Sequence, residues 1–98
     1  MTAISKSAKG EQCTLNIAGV CNYNPETVVL CHFPSEYKGM ATKSPDWCAG
    51  FGCSSCHDVI DDRVNGGLTD AEKEFYMRRS MVRTWKRLIE LGLIEVRS

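Results

Sequence analysis

Excess charge of either sign is missing from this sequence. Its 98 residues carry 12 basic and 12 acidic side chains, for a formal net charge of zero. No global field is therefore available to steer nucleic acid, and any basic footprint must be local. No apolar run approaches the roughly 18 residues that a membrane span needs. The opening "MTAISKSAKGEQ" has no apolar core of the kind a secretory signal carries, so a cytoplasmic protein that does not engage membranes is expected. Internal repeats and low-complexity tracts are also absent. Histidine is scarce, with only two in the chain, so acid–base chemistry near neutral pH must fall on His32 or His57.

Cysteine, by contrast, is plentiful at six. In a reducing compartment these thiols are better suited to metal binding or burial than to disulfides; a secreted three-disulfide module is the rival. Cys53 and Cys56 have C-x-x-C spacing, and Cys13 and Cys21 form a looser pair with seven residues between them. Two pairs delivered by separate chain segments suit a tetrahedral zinc ion, and a structural metal is a common supplement to the small core of a short chain. The alternatives are four buried thiols without metal, or His57 replacing one thiolate. Cys31 and Cys48 read as small buried hydrophobes. A Cys31–His32 catalytic pair is disfavoured, since adjacent residues on a strand point to opposite faces.

Residues 1–10 read as a disordered arm or a short helical lead. "ETVVLCHF" is β-branched, apolar and closed by Pro34, and reads as a strand. "PSEYKGMATKSPDW" reads as a loop, and "CAGFGC" as a second short strand. "HDVIDDRV" reads as a short helix stopped at Gly66 or Gly67. A helix spanning 69–91 opens on a Thr69–Glu72 capping box and stops at Gly92, with "LIEV" as a terminal strand. Its apolar stripe runs through Ala71, Phe75, Val82, Trp85 and Ile89, beside Met81 and Leu88. Phe75 and Trp85 are expected to be buried. Arg79, Arg83, Lys86 and Arg87 share one flank as a solvated face or a phosphate-contacting edge, while Arg78 falls among the apolar positions. If 57–64 is helical, His57 and Asp61 stand one turn apart and can hold one divalent ion, with His32 as general base; favourable charges in a first helical turn are the plainer meaning of the aspartates.

The segments "KG-x-x-C", "GVCN-x-NPET", "VL-x-H" and "CS-x-CHD-x-ID" together resemble the YbcO family of prophage-encoded nucleases. More broadly the chain resembles HNH nucleases of the ββα-metal, treble-clef type. The resemblance implies a single α+β domain over 1–98, with a zinc-stapled ββα motif at 13–67 and a long C-terminal amphipathic helix at 69–91. It implies a metal-dependent endonuclease of phage or prophage type, acting on phosphodiesters of nucleic acid, DNA foremost, in the host cytoplasm. Cys13, Cys21, Cys53 and Cys56 would hold zinc. His32 would be the base, while His57 and Asp61 would hold magnesium, manganese or nickel. The alternative is a non-catalytic zinc module that binds nucleic acid or protein. Two positions depart from the motif. Cys31 stands where a metal-binding Asp or His is common, and the motif's asparagine falls near Cys48, with Asp46 the nearest polar substitute.

Overall fold

In the computed structural model, which describes residues 3–33 and 46–96, the chain begins with a short helix α1 (Ala3–Ser7) and then a loop through the first cysteine pair. The loop sequence at 34–45 lies outside the described residues. A single 3-10 turn at Pro25–Thr27, capped by the Asn24 side chain, leads into β1 (Val29–His32). This strand pairs antiparallel with β2 (Ala49–Gly52), Leu30 opposite Phe51 and His32 opposite Ala49.

Helix α2 (Ser54–Ile60) follows at once. It starts on the cysteine knuckle itself, three residues earlier than the sequence pattern suggests, because the Cys53 sulfur caps the backbone N–H of Cys56. It also stops earlier than the Gly-Gly pair. Asp62 adopts a left-handed conformation (φ 60°), so that its N–H reaches Val59 O and that of Arg63 reaches Asp58 O. Aspartate can take this role because its short polar side chain tolerates the left-handed region.

The long helix α3 (Asp70–Glu90) has the expected start. Glu72 N donates to Thr69 Oγ1 at 3.1 Å and Thr69 N donates to Glu72 Oε1 at 2.9 Å. Gly92, at φ 75°, supplies the expected stop, and Leu93 N closes the motif on Leu88 O. The "LIEV" segment forms no strand.

The buried side of α3 corrects the expected stripe. Ser80, Thr84 and Leu88 face the core, with Met77 and Met81 partly covered, whereas Phe75 is 58% exposed and Val82 and Ile89 also face outward. Trp85 is half-buried, its indole N–H donating to Trp47 O. Two hydroxyls replace the anticipated aromatics because the helix lies very close to β2. A Cβ on Gly50 would sit 2.0 Å from Ser80 Oγ, so only small side chains fit the contact.

The same hydroxyls complete the backbone pairing of β2. Its outer edge would otherwise leave Phe51 unpaired, and a buried unpaired peptide group is costly. Phe51 N instead donates to Thr84 Oγ1 at 3.0 Å, while Phe51 O accepts from the backbone N–H groups of Thr14 and Leu15. Thr14 Oγ1 joins Ser80 and Thr84 at 2.6 and 2.9 Å, tying the first cysteine loop to α3. Leu15, Ile17, Val28, Phe33 and Phe51 fill the core between these elements.

Candidate metal centre and adjoining cleft

The four cysteines of the two pairs converge. The sulfurs of Cys13, Cys21, Cys53 and Cys56 all lie within 4.8 Å of one another, and Cys21 and Cys53 are 3.9 Å apart. Thiolates around tetrahedral zinc, with bonds of about 2.3 Å, stand about 3.8 Å apart, so this set can hold such an ion. Backbone amides support the sulfurs: Cys13 Sγ accepts from Asn16 N and Cys53 N at 3.3 and 3.2 Å, and Cys56 Sγ from Ile17 N at 3.5 Å. Such N–H bonds orient a metal's ligands and stabilise negative sulfur.

The thiols are unequal in acidity. The Cys56 thiol donates toward Cys13, which holds the Cys13 pKa down at about 5 while that of Cys56 rises. Burial pushes Cys21 up to about 11. One thiolate therefore forms readily, and the next is opposed by desolvation and by the charge already present. A divalent cation relieves both obstacles.

The "GVCN-x-NPET" segment connects the two cysteine pairs. Asn22 Oδ1 accepts from Asn24 N, and its Nδ2 reaches Ser54 Oγ and Ser55 Oγ at 3.1 and 3.3 Å. Thr27 Oγ1 accepts from Ser54 N. These side chains brace the start of α2 from the far pair, a role that sequence spacing alone could not show.

The remaining cysteines are core thiols. Cys31 is 1% exposed, with its sulfur donating weakly to Val29 O and Gly52 O, and burial raises its pKa. Cys48 donates to Phe33 O.

Both histidines carry an aspartate. His32 Nε2 lies 2.7 Å from Asp46 Oδ1, and His57 Nε2 lies 2.9 Å from Asp61 Oδ2 one turn later on α2. His32 and Asp61 line one surface cleft of about 480 Å³, whose other walls come from Asp62 and from Asp70, Lys73, Glu74 and Met77 of α3. The histidine at the end of β1 thus meets the C-terminal turn of α2 and the N-terminal turns of α3. Lys73 is ion-paired with Asp62, so the acidic wall is partly neutralised. The α3 residues of this cleft carry no motif and are visible only once the fold brings them there.

The arginines divide differently from the expected shared flank. Arg79 lies against the body: its guanidinium donates to Leu15 O and Asn16 O at 2.9 and 3.1 Å and stacks over Phe75 and Tyr76. Arg87 is half-buried and grips Glu11 at 2.7 Å, with Glu90 beside it. Arg78, Arg83 and Lys86 are exposed. No described helix is long and apolar enough to cross a membrane.

A family model described as "Putative nuclease YbcO" matches residues 2–93. A protein of that name from Escherichia coli K12 is 47% identical over 66 residues, covering 66% of this chain and 69% of the relative. A counterpart from Enterobacteria phage 82 matches equally well. Among solved structures, one described as "Structure of a putative bacteriophage protein from Escherichia coli str. K-12 substr. MG1655" superposes with a TM-score of 0.75 at 37% identity. It covers 91% of this chain and 99% of the other.

Proposed function

Because this chain belongs to the YbcO family, whose bacterial and phage members carry the name nuclease, we propose that it is a metal-dependent endonuclease of phage or prophage type, acting on DNA. One observation carries the proposal: a histidine bonded to a carboxylate opens onto the same cleft as Asp61, which is itself bonded to a second histidine. The order of two antiparallel strands and a helix, with a cysteine cluster at the helix start, supports an HNH-type ββα-metal arrangement.

Cys13, Cys21, Cys53 and Cys56 would hold zinc, and a metal there would fix the start of α2 and so the position of His57. The catalytic ion belongs to His57 and Asp61. Their ligand atoms, 2.9 Å apart, have the spacing of neighbouring corners around an octahedral ion with bonds of about 2.1 Å, for which about 3.0 Å is expected. When bound, such an ion supplies positive charge to the phosphate oxygens.

The residues do the rest. Asp46 accepts the Nε2 proton of His32, which fixes the tautomer and leaves Nδ1 as the nitrogen that takes a proton from water. The exposed Arg83 and Lys86 position the phosphate backbone; Lys73, Arg79 and Arg87 contribute less, since all three are held by intrachain partners. The test is nicking of plasmid DNA with magnesium, manganese or nickel, lost in His32→Ala and partly restored by excess metal in His57→Ala.

A zinc module that binds nucleic acid without cutting it is the second reading. The buried Cys31 favours it, because a side chain 1% exposed in the core adds nothing to a metal shell in the cleft.

A further inference from the structure

The outward face of α3 is built like an interface. Ala71, Phe75, Arg78, Val82, Trp85 and Ile89 recur at alternating steps of four and three, the spacing of a coiled-coil seam. This seam lies away from the buried line of Ser80, Thr84 and Leu88, and among the described residues the fold covers it only at Trp85, whose indole N–H meets Trp47 O. Phe75, Val82 and Ile89 remain 58, 55 and 44% exposed. Large apolar side chains scattered singly over a surface need no explanation, but these three stand seven residues apart on one helix face, with Arg78 and the half-buried Trp85 between them, and such a line suits an interaction site.

We infer that this face binds a second copy of the same chain, α3 against α3 in antiparallel orientation. The seam is self-complementary only that way round. With the two-fold axis at the middle of the helix, Ala71 meets Ile89 of the second copy, Phe75 meets Trp85, and Arg78 lies beside Val82. Each small or long residue is matched by one that fills the space. A parallel pair would instead set Arg78 against Arg78 within the seam.

Charge agrees with shape. The first turns of α3 carry Asp70, Glu72 and Glu74 with Lys73 among them, and Arg78, Arg79, Arg83, Lys86 and Arg87 follow, with Glu90 at the end. Antiparallel packing lays each acidic end on the partner's basic end, with Glu72 facing Lys86 of the second copy across one flank. It also opposes the two helix dipoles favourably. Arg79, the like charge nearest the axis on that flank, is turned toward Leu15 O and Asn16 O, away from its counterpart. The pairing stands on α3 alone and is independent of any nuclease activity.

Sedimentation of the full zinc-loaded chain at tens of micromolar tests it, with circular dichroism and zinc content confirming the fold of each variant. Wild type is expected to sediment as a dimer and Val82→Glu as a folded monomer, its dissociation constant at least tenfold weaker. Register is read by charge exchange: Lys86→Glu and Glu72→Lys each weaken the dimer, and the double variant associates more tightly than Glu72→Lys, which shares its loss of the Thr69–Glu72 capping box. A wild-type monomer at these concentrations overturns the proposal, as does a dimer indifferent to Val82→Glu. A double variant no tighter than Glu72→Lys overturns the antiparallel register.

Discussion

His32 and Asp46 meet across the ends of the two strands, Nε2 to Oδ1 at 2.7 Å, although 13 residues separate them in the sequence. The contact gives the only histidine outside the cysteine knuckle a fixed ring orientation. If it serves to present His32 to water, Asp46→Ala lowers cleavage about 10- to 100-fold, the cost usual for removing an orienting partner. Asp46→Asn keeps much of the geometry and loses less. Zinc content and melting temperature stay near wild type for both, and equal activity in all three proteins would remove Asp46 from the mechanism.

Zinc affinity rises with pH. Binding must displace the thiol protons of Cys21, held up to about 11 by burial, and of Cys56, raised by its bond to Cys13, while the same bond holds the Cys13 pKa low. Titration of apo protein at pH 7.5, in buffers of different ionisation enthalpy, should therefore show at least the Cys21 and Cys56 protons released per zinc. Cys53→Ala abolishes the tight site and with it cooperative melting. Pure protein that holds no zinc and melts normally after exposure to a chelator would refute the staple.

The hydroxyl contact between α3 and β2 makes its own prediction. Thr84 is 1% exposed and accepts from Phe51 N while bonding Thr14. Thr84→Val keeps the shape but strands a buried N–H, so it should cost about 1–3 kcal/mol in denaturant unfolding. A neutral result would mean that the edge of β2 finds another partner.

The arginines separate stability from binding. Arg79→Ala breaks two bonds to the loop of Cys13 and should cost about 1–3 kcal/mol of stability. Arg83→Ala should leave melting unchanged, weaken DNA binding for every sequence, and flatten its salt dependence by about one phosphate contact's worth. Fluorescence anisotropy over a salt series distinguishes them.

Local signals in the sequence were good guides where one residue type does one job. The capping box at Thr69, the stop at Gly92, the second strand and the convergence of four cysteines follow from such signals, whereas the first strand begins only at Val29 because Pro25–Thr27 forms a 3-10 turn. The helix orientation did not, because apolar periodicity cannot tell a core face from an outer seam when the core face is made of Ser80 and Thr84. The gap at Gly50 that admits the Ser80 hydroxyl exists only in three dimensions. Arg79 misled for a similar reason: its partners are carbonyls of a loop 63 and 64 residues away, which no charge pattern registers. At the cleft, the sequence pattern singles out His32 and Asp61, but Asp70, Lys73 and Glu74 join them only through the packing of α3.

The central claim is that His32 acts as a base beside an ion on His57 and Asp61. It is tested most directly by incubating supercoiled plasmid with zinc-loaded wild type and His32→Ala, each with magnesium, manganese or nickel. The account predicts nicked circles from wild type with at least one of these ions, and none from a His32→Ala protein of equal zinc content and melting temperature. Nicking by the variant at the wild-type rate would contradict it, and so would intact plasmid from wild type with every ion.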